Sequence, residues 1–230
     1  MNTGRSSAAA HTFRNRSDAG RALAEHLRSY ANRPDAIVLA LPRGGVPVGY
    51  EVAQALNLPL DIFVVKKITV PGYEEMALGA IASGGIYLLD EPLIEQLGLS
   101  KQQLEDIADN AYREVLRRES AYRNHRTAPE LAGKTVILVD DGLATGSSMQ
   151  AAVAALRRRE PARIIVAVPV GSREACSDMK ALADEAVCAR VPDPFYAVGL
   201  WYEDFSQTED GEVRGLLEKA AAAARARTQS

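Results

Sequence analysis

The sequence predicts an α/β fold with a central parallel sheet flanked by helices, and three observations carry that prediction. Short apolar runs recur along the chain, at AIVLALP (36 to 42), LDIFVVKKI (60 to 68), TVILVDD (135 to 141), RIIVAVPV (163 to 170) and AVCARV (186 to 191). Segments with helical periodicity separate them, which is the rhythm of strands buried on both faces. The loops after the strands are unusual: PRGG, KK and DDGLATGSS would share the carboxyl edge, where ligands bind in such sheets.

In chain order, SDAGRALAEHLRSYA opens with a serine cap at Ser17 and continues as an amphipathic helix. The strand AIVLALP leads through a glycine turn into the helix GGVPVGYEVAQAL. LDIFVVKKI reads as one strand ending in two lysines. TVPGYEEMALGAIASGGIYLL begins as a Pro-Gly loop and finishes as a hairpin about Ser-Gly-Gly. Ser100 and Gln103 form a capping-box pattern that starts a long polar helix through about Arg123. TVILVDD and MQAAVAALRRR, then RIIVAVPV and a helix from about Ser172, complete the alternation with AVCARV. The stretch VPDPFYAVGLWYEDFSQTEDGEV breaks the rhythm, and an alanine-rich helix to about Arg227 follows.

At 230 residues, with 47% hydrophobic and 25% charged residues, the chain suits one globular domain. A net charge of −3 gives no electrostatic case for a nucleic-acid partner. No apolar run is long enough to span a membrane, and MNTGRSSAAAHTFRNR lacks a signal's apolar core, so a cytoplasmic protein is expected. Cys176 and Cys188 are expected as two small buried hydrophobes rather than a disulfide framework or a zinc cluster. His11, His26 and His125 show no ligand spacing for a transition metal.

Asp140 and Asp141 end a buried strand, where two adjacent carboxylates cost desolvation and mutual repulsion unless a partner offsets both. Vicinal hydroxyls or a hydrated cation would do so. Beyond them Gly142, Leu143, Ala144, Thr145 and Gly146 can converge backbone N–H groups on an anion at a helix start, with Thr145, Ser147 and Ser148 adding hydroxyls. The stretch VILVDDGLATGSS closely resembles the phosphoribosyl pyrophosphate signature of type I phosphoribosyltransferases. The resemblance implies that Asp140 and Asp141 bind the ribose 2′ and 3′ hydroxyls and that residues 142 to 148 bind the 5′-phosphate. Enzymes of the family that use 6-oxopurines usually carry an aspartate where this chain has Ala144. That argues against hypoxanthine or guanine as the acceptor.

By the same likeness Pro42, Arg43, Gly44 and Gly45 form the pyrophosphate loop, which in the family often contains a non-proline cis peptide. Arg43 would stabilise the leaving group together with Lys66 or Lys67. Alternation sends those lysines to opposite faces, and sequence leaves open which one reaches the site. The likeness also implies a flexible catalytic loop at about 69 to 85, around Pro71 and Gly72, with Glu74 and Glu75 more readily solvated than catalytic. A helical insertion would occupy about 91 to 126 within a core of about 13 to 191.

The stretch from about 192 to 210 resembles the family's hood, with the terminal helix at about 211 to 227. Phe195 and Trp201 are the base-binding candidates, although Trp201 and Tyr202 also suit an aromatic packing cluster. Glu203 or Asp204 matches the hood acid, and Asp204 would join Asp140 and Asp141 around Mg²⁺. The order FRNRSDAGRALAEHL, LPRGGVPVGYEVA, VVKKI, VDDGLATG and VGLWYEDFSQ resembles a bacterial group of predicted phosphoribosyltransferases. The family implies Mg²⁺, phosphoribosyl pyrophosphate, a small-molecule acceptor and a homodimer. A regulator that binds the same ligand without turnover is the alternative, and a phosphoribosyl hydrolase or salvage accessory protein is a third reading.

Overall fold

The computed structural model describes residues 12–70, 72–124 and 126–228. Pro71, His11, His125 and the side chains of Glu74 and Glu75 lie outside what is described. Five strands, β1 (Ala36–Ala40), β2 (Leu60–Ile62), β6 (Thr135–Val139), β7 (Arg163–Val170) and β8 (Glu185–Arg190), form the central sheet in the order β2-β1-β6-β7-β8. Every neighbouring pair is parallel. Alternate residues of these strands point to opposite faces. Val38, Ala40, Ile137 and Val139 therefore pack against α1 (Arg16–His26), α2 (Gly45–Leu56) and α7 (Asp210–Thr228). Ile37, Leu39, Val136 and Leu138 pack against α5 (Ser147–Arg157) and α6 (Arg173–Leu182). This is the α/β fold read from the sequence.

A second sheet of three antiparallel strands, β3 (Val65–Val70), β4 (Tyr73–Ala82) and β5 (Ile86–Leu89), stands beside the first. It is held between α4 (Lys101–Arg123) and α5, with the short helix α3 (Glu91–Gln96) following β5. The Ser-Gly-Gly hairpin is present, and the capping box of Ser100 and Gln103 opens α4 as expected.

Several expectations are corrected. LDIFVVKKI is two strands in two sheets: the chain leaves the central sheet after Ile62 and enters the small sheet at Val65. Within the segment at 69 to 85, the start expected as a Pro-Gly loop lies largely in strands, β3 ending at Val70 and β4 beginning at Tyr73 with Gly72 between them. The cap of α1 is Asn15, whose side chain accepts from the Asp18 N–H, rather than Ser17. Cys176 and Cys188 are joined in a disulfide, with Cα atoms 6.4 Å apart, because α6 turns back to deliver β8 alongside itself.

Candidate active site

Parallel pairing of Ala40 with Val139 ends β1 and β6 side by side, so the loops that follow them meet. The Leu41 N–H donates to the Val139 carbonyl at 2.9 Å, and the next peptide, Pro42–Arg43, is cis. Gly44 and Gly45 then lie directly on the acidic pair. A Cβ on Gly44 would fall 2.0 Å from Asp141 Oδ2, and one on Gly45 would fall 2.8 Å from the Val139 carbonyl oxygen. The PRGG loop and the aspartates are thus one site, and glycine is there because any side chain would occupy it.

Asp140 Oδ1 accepts from the Asp141 N–H at 2.8 Å. Asp141 Oδ2 accepts from Arg16 Nε at 2.8 Å, and Arg16 Nη1 donates to the Ser206 carbonyl at 2.6 Å. Burial pushes the Asp140 carboxyl well above its ordinary range, and the neighbouring Asp141 charge pushes it further. Asp141 is also raised by burial, with Arg16 pulling the other way. Tyr202 donates its hydroxyl to the Asp141 carbonyl at 2.6 Å. Burial and the Asp141 charge raise the phenol, which keeps it a donor.

The loop of residues 142 to 148 is built differently. Leu143 is buried and bridges to Gly171, its N–H donating to the Val170 carbonyl and its carbonyl accepting from Ser172 N–H, both at 2.9 Å. The Ser172 hydroxyl donates to the Ala144 carbonyl at 2.8 Å and accepts from the Ala175 N–H that it caps. Gly146, at φ 75°, is the cap of α5, and an ordinary side chain is disfavoured in that conformation. Among the described residues the N–H groups of Ala144, Thr145, Gly146, Ser147 and Ser148 have no protein acceptor. Five such donors at a helix start are an anion cradle.

The hood closes over the acidic pair through the N-terminal segment. Phe13 N–H donates to the Trp201 carbonyl, and the N–H groups of Glu203 and Asp204 donate to the carbonyls of Phe13 and Arg14. Phe195 and Trp201, the base-binding candidates, are half-buried against Phe13, Ala19, Val170 and Tyr202. The hood aromatic most open to solvent is instead Tyr196, 79% exposed. Asp204 does not join the aspartate pair. Its Oδ1 accepts from the Ser206 N–H at 2.9 Å, which holds its carboxyl below the usual range, and no third acidic, histidine or cysteine ligand completes a metal cluster among the described residues. Glu203 is exposed and accepts from Thr12 Oγ1 at 3.4 Å.

The phosphoribosyl transferase domain model matches residues 11–193. The chain belongs to that family. It is 38% identical over 208 residues to Rv0571c of Mycobacterium tuberculosis strain H37Rv, named as a candidate phosphoribosyl transferase, and equally to MT0597 of strain CDC 1551. The match covers 90% of this chain and 47% of each relative, so the chain spans about half their length. The crystal structure of TT1426 from Thermus thermophilus superposes with a TM-score of 0.79 at 40% identity, covering 90% of this chain and 98% of that one.

In this phosphoribosyl transferase domain the two lysines separate by strand pairing. Lys66 pairs with Ile81, which packs toward α4, and both lysines border a cavity with Asn110 and Glu114. Lys67 pairs with Ala80, itself paired with Leu88 on the α5 side. It lines a cleft of about 660 Å³ together with Ser147 of the loop at 142 to 148. Arg43 is turned to the start of α7: its Nη1 lies 3.6 Å from Asp210 Oδ1, and its guanidinium faces the Gln207 side-chain amide, whose oxygen accepts from it once the amide is turned over. Tyr122 donates to the same Asp210 oxygen at 2.7 Å. The sequence reading missed Arg16 and Tyr202 as site residues. Arg16 stood within the quoted FRNRSDAGR motif, but nothing local indicated its distant partner.

Proposed function

We propose that the chain transfers a phosphoribosyl group from phosphoribosyl pyrophosphate to a nitrogenous acceptor of the nucleobase class. The observation that carries this is the junction of three subsites: a five-amide cradle, an acidic pair, and a glycine loop seated on that pair. The cradle would take the 5′-phosphate, and Asp140 and Asp141 the ribose hydroxyls. In the reaction the bond from C1 to the pyrophosphate oxygen breaks, a bond from C1 to the acceptor nitrogen forms, and that nitrogen loses its proton. Negative charge grows on the departing pyrophosphate, where the amide of Gly44 and the Arg43 guanidinium would stabilise it once Arg43 turns from Asp210, the Gly45 amide being held by the Leu41 carbonyl at 3.0 Å. Carboxylates beneath the sugar oppose the positive charge growing at C1.

The donor set suits Mg²⁺, which keeps waters and takes one or two protein carboxylates alongside substrate oxygens rather than a closed protein cage. Asp140 and Asp141 would hold it, and it would supply positive charge to the pyrophosphate. The reading extends to a homodimer working in nucleotide salvage in the cytoplasm. Disulfides are uncommon in reducing compartments, so the Cys176–Cys188 bond weighs against the cytoplasmic part. No helix among the described residues is long and apolar enough to cross a membrane.

The test pairs binding with turnover. Replacing Asp140 and Asp141 together by asparagine is expected to weaken Mg²⁺-dependent phosphoribosyl pyrophosphate binding by at least about 100-fold, since two charge-assisted hydrogen bonds are lost. Unchanged affinity would overturn the ribose assignment. A screen of adenine, xanthine, guanine, uracil and orotate, scored by pyrophosphate release, then identifies the acceptor. Binding without release for any base would favour the regulator, and release without a base the hydrolase.

A further inference from the structure

The opening motif FRNRSDAGR has no role in the phosphoribosyl reading, yet one of its residues reaches the centre of the site. We propose that Arg16 is a positioning residue that makes the acidic pair read a vicinal diol, so that the site selects ribose over 2-deoxyribose. The inference rests on the phosphoribosyl reading and names a specificity device within it.

Arg16 is the first residue of α1, where the helix dipole disfavours a cation. Its place is therefore not explained by the helix that carries it. Its guanidinium is fixed on three sides: Nε on Asp141 Oδ2 at 2.8 Å, Nη1 on the Ser206 carbonyl at 2.6 Å, and Cζ 4.0 Å from the centre of the Phe205 ring. Both members of the ion pair are largely buried, at 12% and 16% side-chain exposure, and they stand 125 residues apart in sequence. A guanidinium held this way cannot follow Asp141 into another rotamer; it dictates the rotamer.

The consequence lies in the oxygens left over. Asp140 Oδ1 is taken by the Asp141 N–H, and Asp141 Oδ2 by Arg16. Among the described residues one oxygen of each carboxylate then remains without a donor, two acceptors of which the Asp141 oxygen takes the 2′-hydroxyl and the Asp140 oxygen the 3′-hydroxyl of a ribose. Without Arg16, Asp141 would be a largely buried charge beside another, free to turn away, and the matched pair of acceptors would be lost.

The test uses the full chain and two sugar phosphates that differ by one hydroxyl, ribose 5-phosphate and 2-deoxyribose 5-phosphate, titrated by calorimetry. The native protein is expected to prefer ribose 5-phosphate by about tenfold or more, the value of a hydrogen bond to a charged group. R16Q is expected to cut that preference below about threefold while binding 2-deoxyribose 5-phosphate within about twofold of the native affinity. R16K, which keeps the charge but not the fork, is expected to fall between the two, and it serves if R16Q does not fold. Equal losses for both ligands mean that Arg16 only holds the hood in place and overturn the proposal, as does an unchanged preference. If the native protein binds neither sugar phosphate, the phosphoribosyl reading itself fails and takes this inference with it.

Discussion

The loop of residues 142 to 148 and the acidic corner sit on neighbouring turns and are built from opposite materials. The loop offers backbone: five amides without acceptors among the described residues, and a glycine at φ 75°. The corner offers side chains, with one oxygen of each carboxylate engaged, by Arg16 and by the Asp141 amide, while Tyr202 holds the Asp141 backbone carbonyl. A backbone subsite depends on chain path and tolerates side-chain change. A side-chain subsite depends on distant residues arriving in the right place, so damage to it can come from anywhere in the sequence.

The contrast can be strained at four points, in falling order of effect. Gly44→Ala adds a methyl 2.0 Å from Asp141 Oδ2, while the ordinary helical backbone at this residue accepts alanine. The methyl must push the carboxylate off Arg16. Overpacking of this kind costs about 1–3 kcal/mol, so phosphoribosyl pyrophosphate affinity is expected to fall about 10- to 100-fold. Gly146→Ala meets only ordinary contacts with Ala175 and Met179, so its cost is conformational. About 1–2 kcal/mol is expected in unfolding free energy by denaturant titration. If Gly146→Ala weakens ligand binding more than Gly44→Ala, the division between backbone and side-chain subsites is wrong.

Tyr202→Phe removes the hydroxyl bonded to the Asp141 carbonyl, and a loss of about 0.5–1.5 kcal/mol is expected from thermal unfolding. The smallest effect lies outside both regions. Arg117 and Arg118 hold the Glu114 carboxyl at about 2. Its folded value lies below its unfolded one, so the stabilisation is full above the ordinary carboxylate range and is lost as pH falls toward about 2. Because the pair is near the surface, Glu114→Gln is expected to change stability by no more than about 1 kcal/mol at neutral pH, with the difference vanishing in acid.

The same division explains what the sequence could reveal. The strand ends, the acidic pair and residues 142 to 148 were legible because their chemistry lies in consecutive letters, and apolar runs fix where the strands stop. Arg16 and Tyr202 were not, because their value depends on Asp141, which lies 125 and 61 residues away respectively. LDIFVVKKI was misread because no glycine or proline marks the exit between Ile62 and Val65, so burial in two sheets looked like one strand. Asp204 stands apart from the pair for a local reason: an aspartate two residues before an amide can satisfy itself by closing a turn. The cysteine pair was hidden by the rest of a helix and a turn lying between its members, which are 12 positions apart.

The Ser172 hydroxyl, which caps α6 and also holds the Ala144 carbonyl, sets a limit on modularity. Residues 140 to 148 look like a portable cassette. They are shaped from outside, by β7 through Leu143 and by the cap of the following helix. Grafted alone onto another parallel sheet, the cassette would carry its letters without its curvature; the smallest transplantable unit runs from β6 to the first turn of α6.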